Sequence, residues 1–169
     1  NSKRHMKKYL KIFLYSFIYI LLILVFAVMF IVTTQAEVIK PNNSIEPFQV
    51  VKIQLRSLKE NDKPVKDNGI VQTWEFAHPN NQKYTGPIEK FKSMLKSDSF
   101  SMLINHREHQ VKEIYKSDNV HAFEVVILDL NKKYFKFNWK VEKYKNDGPL
   151  KDCWLTTAVS QPIDLGSSI

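Results

Sequence analysis

The sequence has one cysteine, Cys153, and only four glycines. A single thiol cannot close an intramolecular disulfide, so the chain's own fold has no covalent staple. Cys153 lies between Asp152 and Trp154 in a strand-like run, where it reads as a buried, inert thiol. Four glycines are too few for a phosphate-cradling loop of the P-loop or dinucleotide type, and no GxSxG elbow occurs. No histidine or cysteine pair has HExxH or CxxC spacing, so neither a metal nor a cofactor is expected. A basic face for nucleic acid is also missing. The formal net charge is +8, but Lys3, Arg4, Lys7, Lys8 and Lys11 stand together before residue 12, which leaves +3 for everything after them. Beyond that cluster the basic residues are interspersed with Glu60, Asp62, Asp67, Glu89 and Glu113, which argues against a nucleic-acid partner.

What the chain does have is a long apolar run. Residues 12–32, IFLYSFIYILLILVFAVMFIV, carry Ser16 as their one strongly polar side chain. At about 1.5 Å per residue such a helix is roughly 30 Å long, the thickness of a bilayer's hydrocarbon core. The expected division is a basic leader (1–11), a transmembrane helix (12–33), a linker (34–46), a folded domain (47–162) and a tail (163–169). Basic residues ahead of a span hold that end in the cytoplasm, so the domain is expected in the periplasm, a lumen or outside. The competing reading is a secretory signal cleaved after Ala36, behind Thr34-Gln35-Ala36. Signal cores run to about 15 apolar residues, and this longer run favours an uncleaved anchor.

Past the anchor, Pro41, Asn42, Asn43, Ser44 and Pro47 punctuate a segment without periodicity, read as a spacer. Phe48, Val51, Leu55 and Leu58 then recur at helical steps opposite Lys52, Arg56 and Lys59, predicting a helix over 47–60. Asn61-Asp62 and Asp67-Asn68-Gly69 are turns. Ile70, Trp74 and Ala77 predict a short helix that His78-Pro79 ends, the imidazole satisfying a late carbonyl. A third helix follows Pro87, capped by Thr85, with Ile88, Phe91, Met94 and Leu95 facing inward. After Asp98 the period shortens to that of strands, expected at 107–116, 120–130, 134–143 and 153–160. In the third of these Phe135, Phe137, Trp139 and Val141 alternate with Lys136, Asn138, Lys140 and Glu142, giving one buried and one wet face. Helices first and an antiparallel meander afterwards make an α+β domain.

Several strings together resemble a known family. They are Leu55-Arg56-Ser57-Leu58-Lys59-Glu60-Asn61-Asp62, Gly69-Ile70, Thr73 to Pro79 with Asn81, Thr85-Gly86-Pro87 with Phe91, Met94 and Leu95, Asn105-His106, and Cys153 to Val159 with Pro162. The family is an uncharacterised one of small bacterial, cyanobacterial and plastid-lineage proteins, a domain of unknown function. It is similar to the cone-shaped nuclear-transport-factor-2-like superfamily, which includes ketosteroid isomerases, polyketide cyclases and limonene epoxide hydrolases. The resemblance spans about residues 48–162 and implies three helices on a curved antiparallel sheet of four strands. It implies a fold and not an activity. No activity-defining residue of the cone enzymes can be matched to a position here. Pairing of two copies through the open sheet face is what the resemblance implies about assembly.

A cone often encloses an apolar pocket. Trp74, Phe76, Phe91, Met94, Phe135, Phe137, Trp139 and Trp154 are the candidates for pocket or plain core. As acid-base groups His78, His106 and Glu75 are the weak candidates, with His109, His121, Asp62 and Asp67 behind them. His106 and His109 share a face only on a helix, since an odd separation on a strand opposes them. The turn chemistry of Asp62 and Asp67, and a surface place for Glu75, explain these carboxylates without catalysis. The sequence therefore predicts a membrane-anchored, non-enzymatic module that binds a protein partner or a second copy. The alternative is a small-molecule binder, or an isomerase- or hydrolase-type enzyme, built on the pocket.

Overall fold

The computed structural model describes residues 2–31 and 37–167, which form two compact units. The first is one helix, α1 (Ser2–Ile31). Its stretch His5–Ala27 is long and apolar enough to cross a membrane by length and composition. Ser16 turns its hydroxyl back onto the Phe13 carbonyl at 2.9 Å, so the one strongly polar side chain of the run is satisfied inside the helix. The expected cleavage site at 34–36 lies outside the described residues.

The second unit is α+β: four helices and an antiparallel sheet of five strands. Helix α2 (Pro47–Lys59) starts on Pro47, with the Gln49 side chain accepting from the Glu46 amide at 3.0 Å. Its inner face is Pro47, Val50, Val51, Gln54, Leu55 and Leu58. Val50, Val51, Leu55 and Leu58 are wholly buried, and such burial contributes about 1.5–3 kcal/mol for each large aliphatic side chain. Phe48, expected on this stripe, stays 42% exposed because the true inner face is rotated toward Val50 and Gln54.

Asn61 knots the following turn. Its side-chain oxygen accepts from the Ile70 amide (3.1 Å), and its nitrogen donates to Asp62 (3.0 Å) and Asp67 (3.3 Å). Asp62 in turn accepts from the Asp67 amide at 2.9 Å, the turn role expected of both carboxylates. The Lys96 ammonium, 2.6 Å from Asp67, holds that carboxyl below its usual range. Helix α3 (Asn68–Glu75) then crosses α2 closely at Gly69, where a Cβ would collide with the Ser57 carbonyl.

Two expectations are corrected at the next junction. His78-Pro79 does not merely end a helix; it opens another, α4 (Pro79–Thr85). Proline suits a first turn as well as it breaks a last one, and His78 caps α4 by accepting from the Asn80 amide at Nδ1, 3.1 Å. Thr85 does not cap the third expected helix. It closes α4, its hydroxyl donating to the Asn81 carbonyl at 2.9 Å, and α5 (Ile88–Leu95) is entered from Pro87. A single 3-10 turn (Ser101–Leu103) leads into the sheet.

The strands are β1 (Glu108–Lys116), β2 (Val120–Leu128), β3 (Lys133–Lys143), β4 (Trp154–Val159) and β5 (Ile163–Ser167). They form an antiparallel meander in the order β1-β2-β3-β4. The far edge of β3 is shared: residues 139–143 pair with β4, and residues 133–136 pair with β5. Strand β5 falls in the segment read as a tail. Phe123, Val125 and Ile127 of β2 and Phe137, Trp139 and Val141 of β3 point into the core; in β3 this follows the predicted alternation except at Phe135, which is only half-buried. Residues 76–78 run beside β4 as a parallel bridge, Ala77 opposite Thr156, which fixes the α3–α4 junction against the sheet.

Residues 37–46, the described part of the segment read as a spacer, are held to this unit. The Gln72 side chain accepts from the Ile39 amide at 2.6 Å and donates to the Ile39 carbonyl at 2.9 Å. Lys40 pairs with Glu75 at 2.8 Å, and Ile45 packs on the core.

Candidate functional site

Between the helices and the sheet lies a partly open cavity of about 280 Å³. Its walls come from every layer: Gln54 and Leu58 of α2, Thr73 of α3, Asn81 of α4, Phe91 and Met94 of α5, and Trp139 and Thr156 of the sheet. None of its lining residues is titratable.

The polar atoms deepest in this wall are committed to one another. Gln54, 1% exposed, takes two hydrogen bonds at its side-chain oxygen, from Trp139 Nε1 (3.0 Å) and from the Thr156 hydroxyl (2.6 Å). Its amide nitrogen donates to the Thr73 carbonyl at 3.0 Å. The indole can only donate, which fixes the amide orientation by elimination. The Thr73 hydroxyl donates to the Gly69 carbonyl at 2.8 Å. The half-buried polar groups are held more loosely. Asn81 Nδ2 reaches the Thr156 carbonyl, and the Thr157 hydroxyl reaches the Lys140 carbonyl, at only 3.5 and 3.4 Å. Bonds of that length are weak enough to exchange for a ligand's.

The aromatic candidates divide. Phe91, Met94 and Trp139 line the cavity, while Phe76 and Phe137 are fully buried core. Trp74 is half-buried against Phe91, ring centres 4.9 Å apart, and Trp154 is core, its ring nearly perpendicular to that of His121. Phe135 is half-buried and belongs to a separate shallow depression with Asp129 and Lys133.

None of the three acid-base candidates touches the cavity. Glu75 is bound to Lys40 at the surface. His78 caps α4 and lies beside Tyr144; burial lowers its pKa, with Glu142 opposing. His106 is 1% exposed and meets His109, Nε2 to Nδ1, at 2.7 Å. The expectation that a strand would separate these two rings is corrected, because His106 precedes β1 and follows Asn105 in the left-handed region (φ 56°). His106 Nδ1 faces the Leu103 carbonyl at 2.7 Å and must donate, so Nε2 is bare and His109 Nδ1 supplies the proton between the rings. Burial pushes the His106 pKa down to about 4. His109 is lowered by burial and by the nearby Lys59 and Lys52. His121 is satisfied by Glu113 at 2.8 Å. Cys153 is buried, and burial raises its pKa, as suits an inert thiol. Among the described residues no group of three His, Cys, Asp or Glu side chains is placed to hold a metal.

The residues that build the cavity's polar wall, Gln54 and Thr156, were not among the sequence candidates. A signal existed for Gln54: it lies three residues after Val51 and four before Leu58, a polar side chain on an apolar face. No family model, characterised protein or solved structure matches the chain.

Proposed function

We propose that this chain is a membrane-tethered binding module whose second unit holds a small, mainly apolar molecule in the cavity beside Gln54. The cavity itself carries the reading. Its volume of about 280 Å³ falls just short of the roughly 300 Å³ at which small-molecule sites begin, so the ligand is a compact ring or short chain. Phe91, Met94 and Trp139 offer it an apolar bed, and Asn81 and Thr157 offer a polar end loosely held partners. A lining without titratable groups favours binding over acid-base turnover of the isomerase or hydrolase type. Helices layered over an antiparallel sheet with a cavity between them support placing this unit among the nuclear-transport-factor-2-like cones. The apolar α1, with basic residues at its start, supports a single-pass anchor with its N-terminus in the cytoplasm and the second unit across the membrane.

Native mass spectrometry of the full chain, purified from its own membranes in mild detergent, tests this reading. The expected result is an intact anchor and a stoichiometric small-molecule adduct that Met94→Trp, which enlarges a cavity wall, abolishes. Adduct-free chain, or an adduct unchanged by Met94→Trp, overturns the cavity reading.

A second reading, an assembly module, rests on the outer sheet face. Ile114 and Tyr115 are 51% and 56% exposed there, beside Val120 and Ala122. They suit a protein partner or a second copy of the chain. In the same spectra a protein adduct or a dimer that Tyr115→Lys dissociates would favour this reading.

A further inference from the structure

The outward side of α2 is a different kind of surface from its inward side. Lys52, Arg56, Lys59 and Lys63 follow one another at steps of four, three and four residues, and all four are exposed. With His109 they line one open groove of about 750 Å³. Among the described residues none of the four has a carboxylate partner; Lys52 only overlies the Phe48 ring, at 5.7 Å. Glu60 is the one acid in the lining. Cations held together without counter-charges repel one another, and beside burial, the larger cause, the neighbouring Lys59 and Lys52 disfavour a proton on His109. An anion entering the groove removes that repulsion.

Two further observations choose the anion's source. Apolar side chains stand among the cations: Ile39 is 50% exposed and lines the groove, and Phe48 is 42% exposed beside Lys52. Basic residues mixed with exposed apolar ones are the composition of interfacial membrane surfaces. In sequence, Ile39, clamped by Gln72, follows the last residue of α1 by only eight positions. A bilayer spanned by α1 would then present its headgroups at high effective concentration.

We infer that this groove binds the phosphate headgroups of anionic lipids in the membrane that holds α1. The inference rests on α1 spanning a bilayer and is independent of what the cavity holds. Lys52, Lys59, Lys63 and Arg56 pair with headgroup phosphates, and Ile39 and Phe48 enter the interface between them. Such binding would hold the groove face of the second unit against the headgroups.

The test is amine-reactive footprinting of the full chain in lipid nanodiscs, read by mass spectrometry. Discs of phosphatidylcholine are compared with discs containing phosphatidylglycerol. In the anionic discs labelling of Lys52, Lys59 and Lys63 should slow several-fold, labelling of the exposed Lys145 should not change, and high salt should restore the rates. Arg56→Glu should remove most of the protection at Lys52 and Lys59. Equal rates in the two discs, or equal slowing at Lys145, would overturn the proposal. So would full protection in phosphatidylcholine discs given glycerol phosphate, since the groove would then be a site for a free anion. Failure of the anchor reading looks different: the chain would not copurify with discs of either composition.

Discussion

Helix α2 separates two regions built from polar side chains in opposite ways. Toward the sheet, Gln54 meets Trp139, Thr156 and Thr73, and every polar atom has a partner within the protein. Toward solvent, Lys52, Arg56 and Lys59 sit one or two turns apart with no partner of opposite charge among the described residues. The difference follows from the cost of desolvation. A buried amide left unpaired costs about 1–3 kcal/mol, so the inner face tolerates a polar residue only inside a closed network. An exposed ammonium keeps its water, so the outer face can hold charge in reserve for something outside the chain. The first arrangement sets the shape of a cavity, and the second leaves free energy for association.

The contrast predicts effects that differ in size. Gln54→Leu takes the shared acceptor from Trp139 and Thr156, while the Thr73 carbonyl keeps the Phe76 amide at 3.3 Å; we expect a loss of about 4 kcal/mol, measured by urea unfolding, with a shifted Trp emission. A loss below about 1 kcal/mol would mean that the inner network is not what holds these layers together.

The next largest effect is one of pH. His106 has a folded-state pKa of about 4, below the ordinary 6.5. Between those values the unfolded chain binds a proton that the folded chain refuses, so stability is full above pH 6.5 and falls as the pH drops toward 4. The loss is about 3 kcal/mol over that window, with the lowered His109 adding in the same direction. His106→Asn keeps a donor for the Leu103 carbonyl and should flatten the profile in unfolding curves taken across that range.

Gly69→Ala addresses the helix crossing itself. Its methyl group meets the Ser57 carbonyl and the Asn61 Cα, so α3 must back away from α2 at a cost of about 2 kcal/mol by the same unfolding assay. The smallest effect belongs to the outer side: Lys52→Gln with Lys59→Gln should change stability by less than about 0.5 kcal/mol. A larger change would show that the groove serves the fold and not a ligand.

How much of this was legible depends on period and on range. Helix α2 and strands β2 and β3 carry patterns long enough to read, and their observed limits fall within two residues of those expected. Helix α4 was hidden because Pro79 serves equally as a stop and as a first-turn residue, and its seven residues bury no apolar face. Strand β5 was hidden because five residues including Gly166, at φ 92°, give no usable alternation. The cavity wall was half legible. Gln54 interrupts an apolar face, but its partners Trp139 and Thr156 lie 85 and 102 residues away, joined only by the fold. The groove divides likewise: Lys52, Arg56 and Lys59 read as an outward stripe, whereas His109 arrives from a strand.

The clamp on Ile39 has a consequence for which substitutions the chain can accept. Gln72 grips position 39 by its amide and its carbonyl, as a neighbouring strand would, and never by its side chain. As far as this clamp is concerned, any residue but proline serves at position 39, since proline has no N–H to give. At position 72 the demand is reversed: only a side-chain amide of that reach offers both an acceptor and a donor. The clamp alone would thus let drift exchange Ile39 for any other apolar residue while leaving Gln72 standing, although the two residues make one interaction.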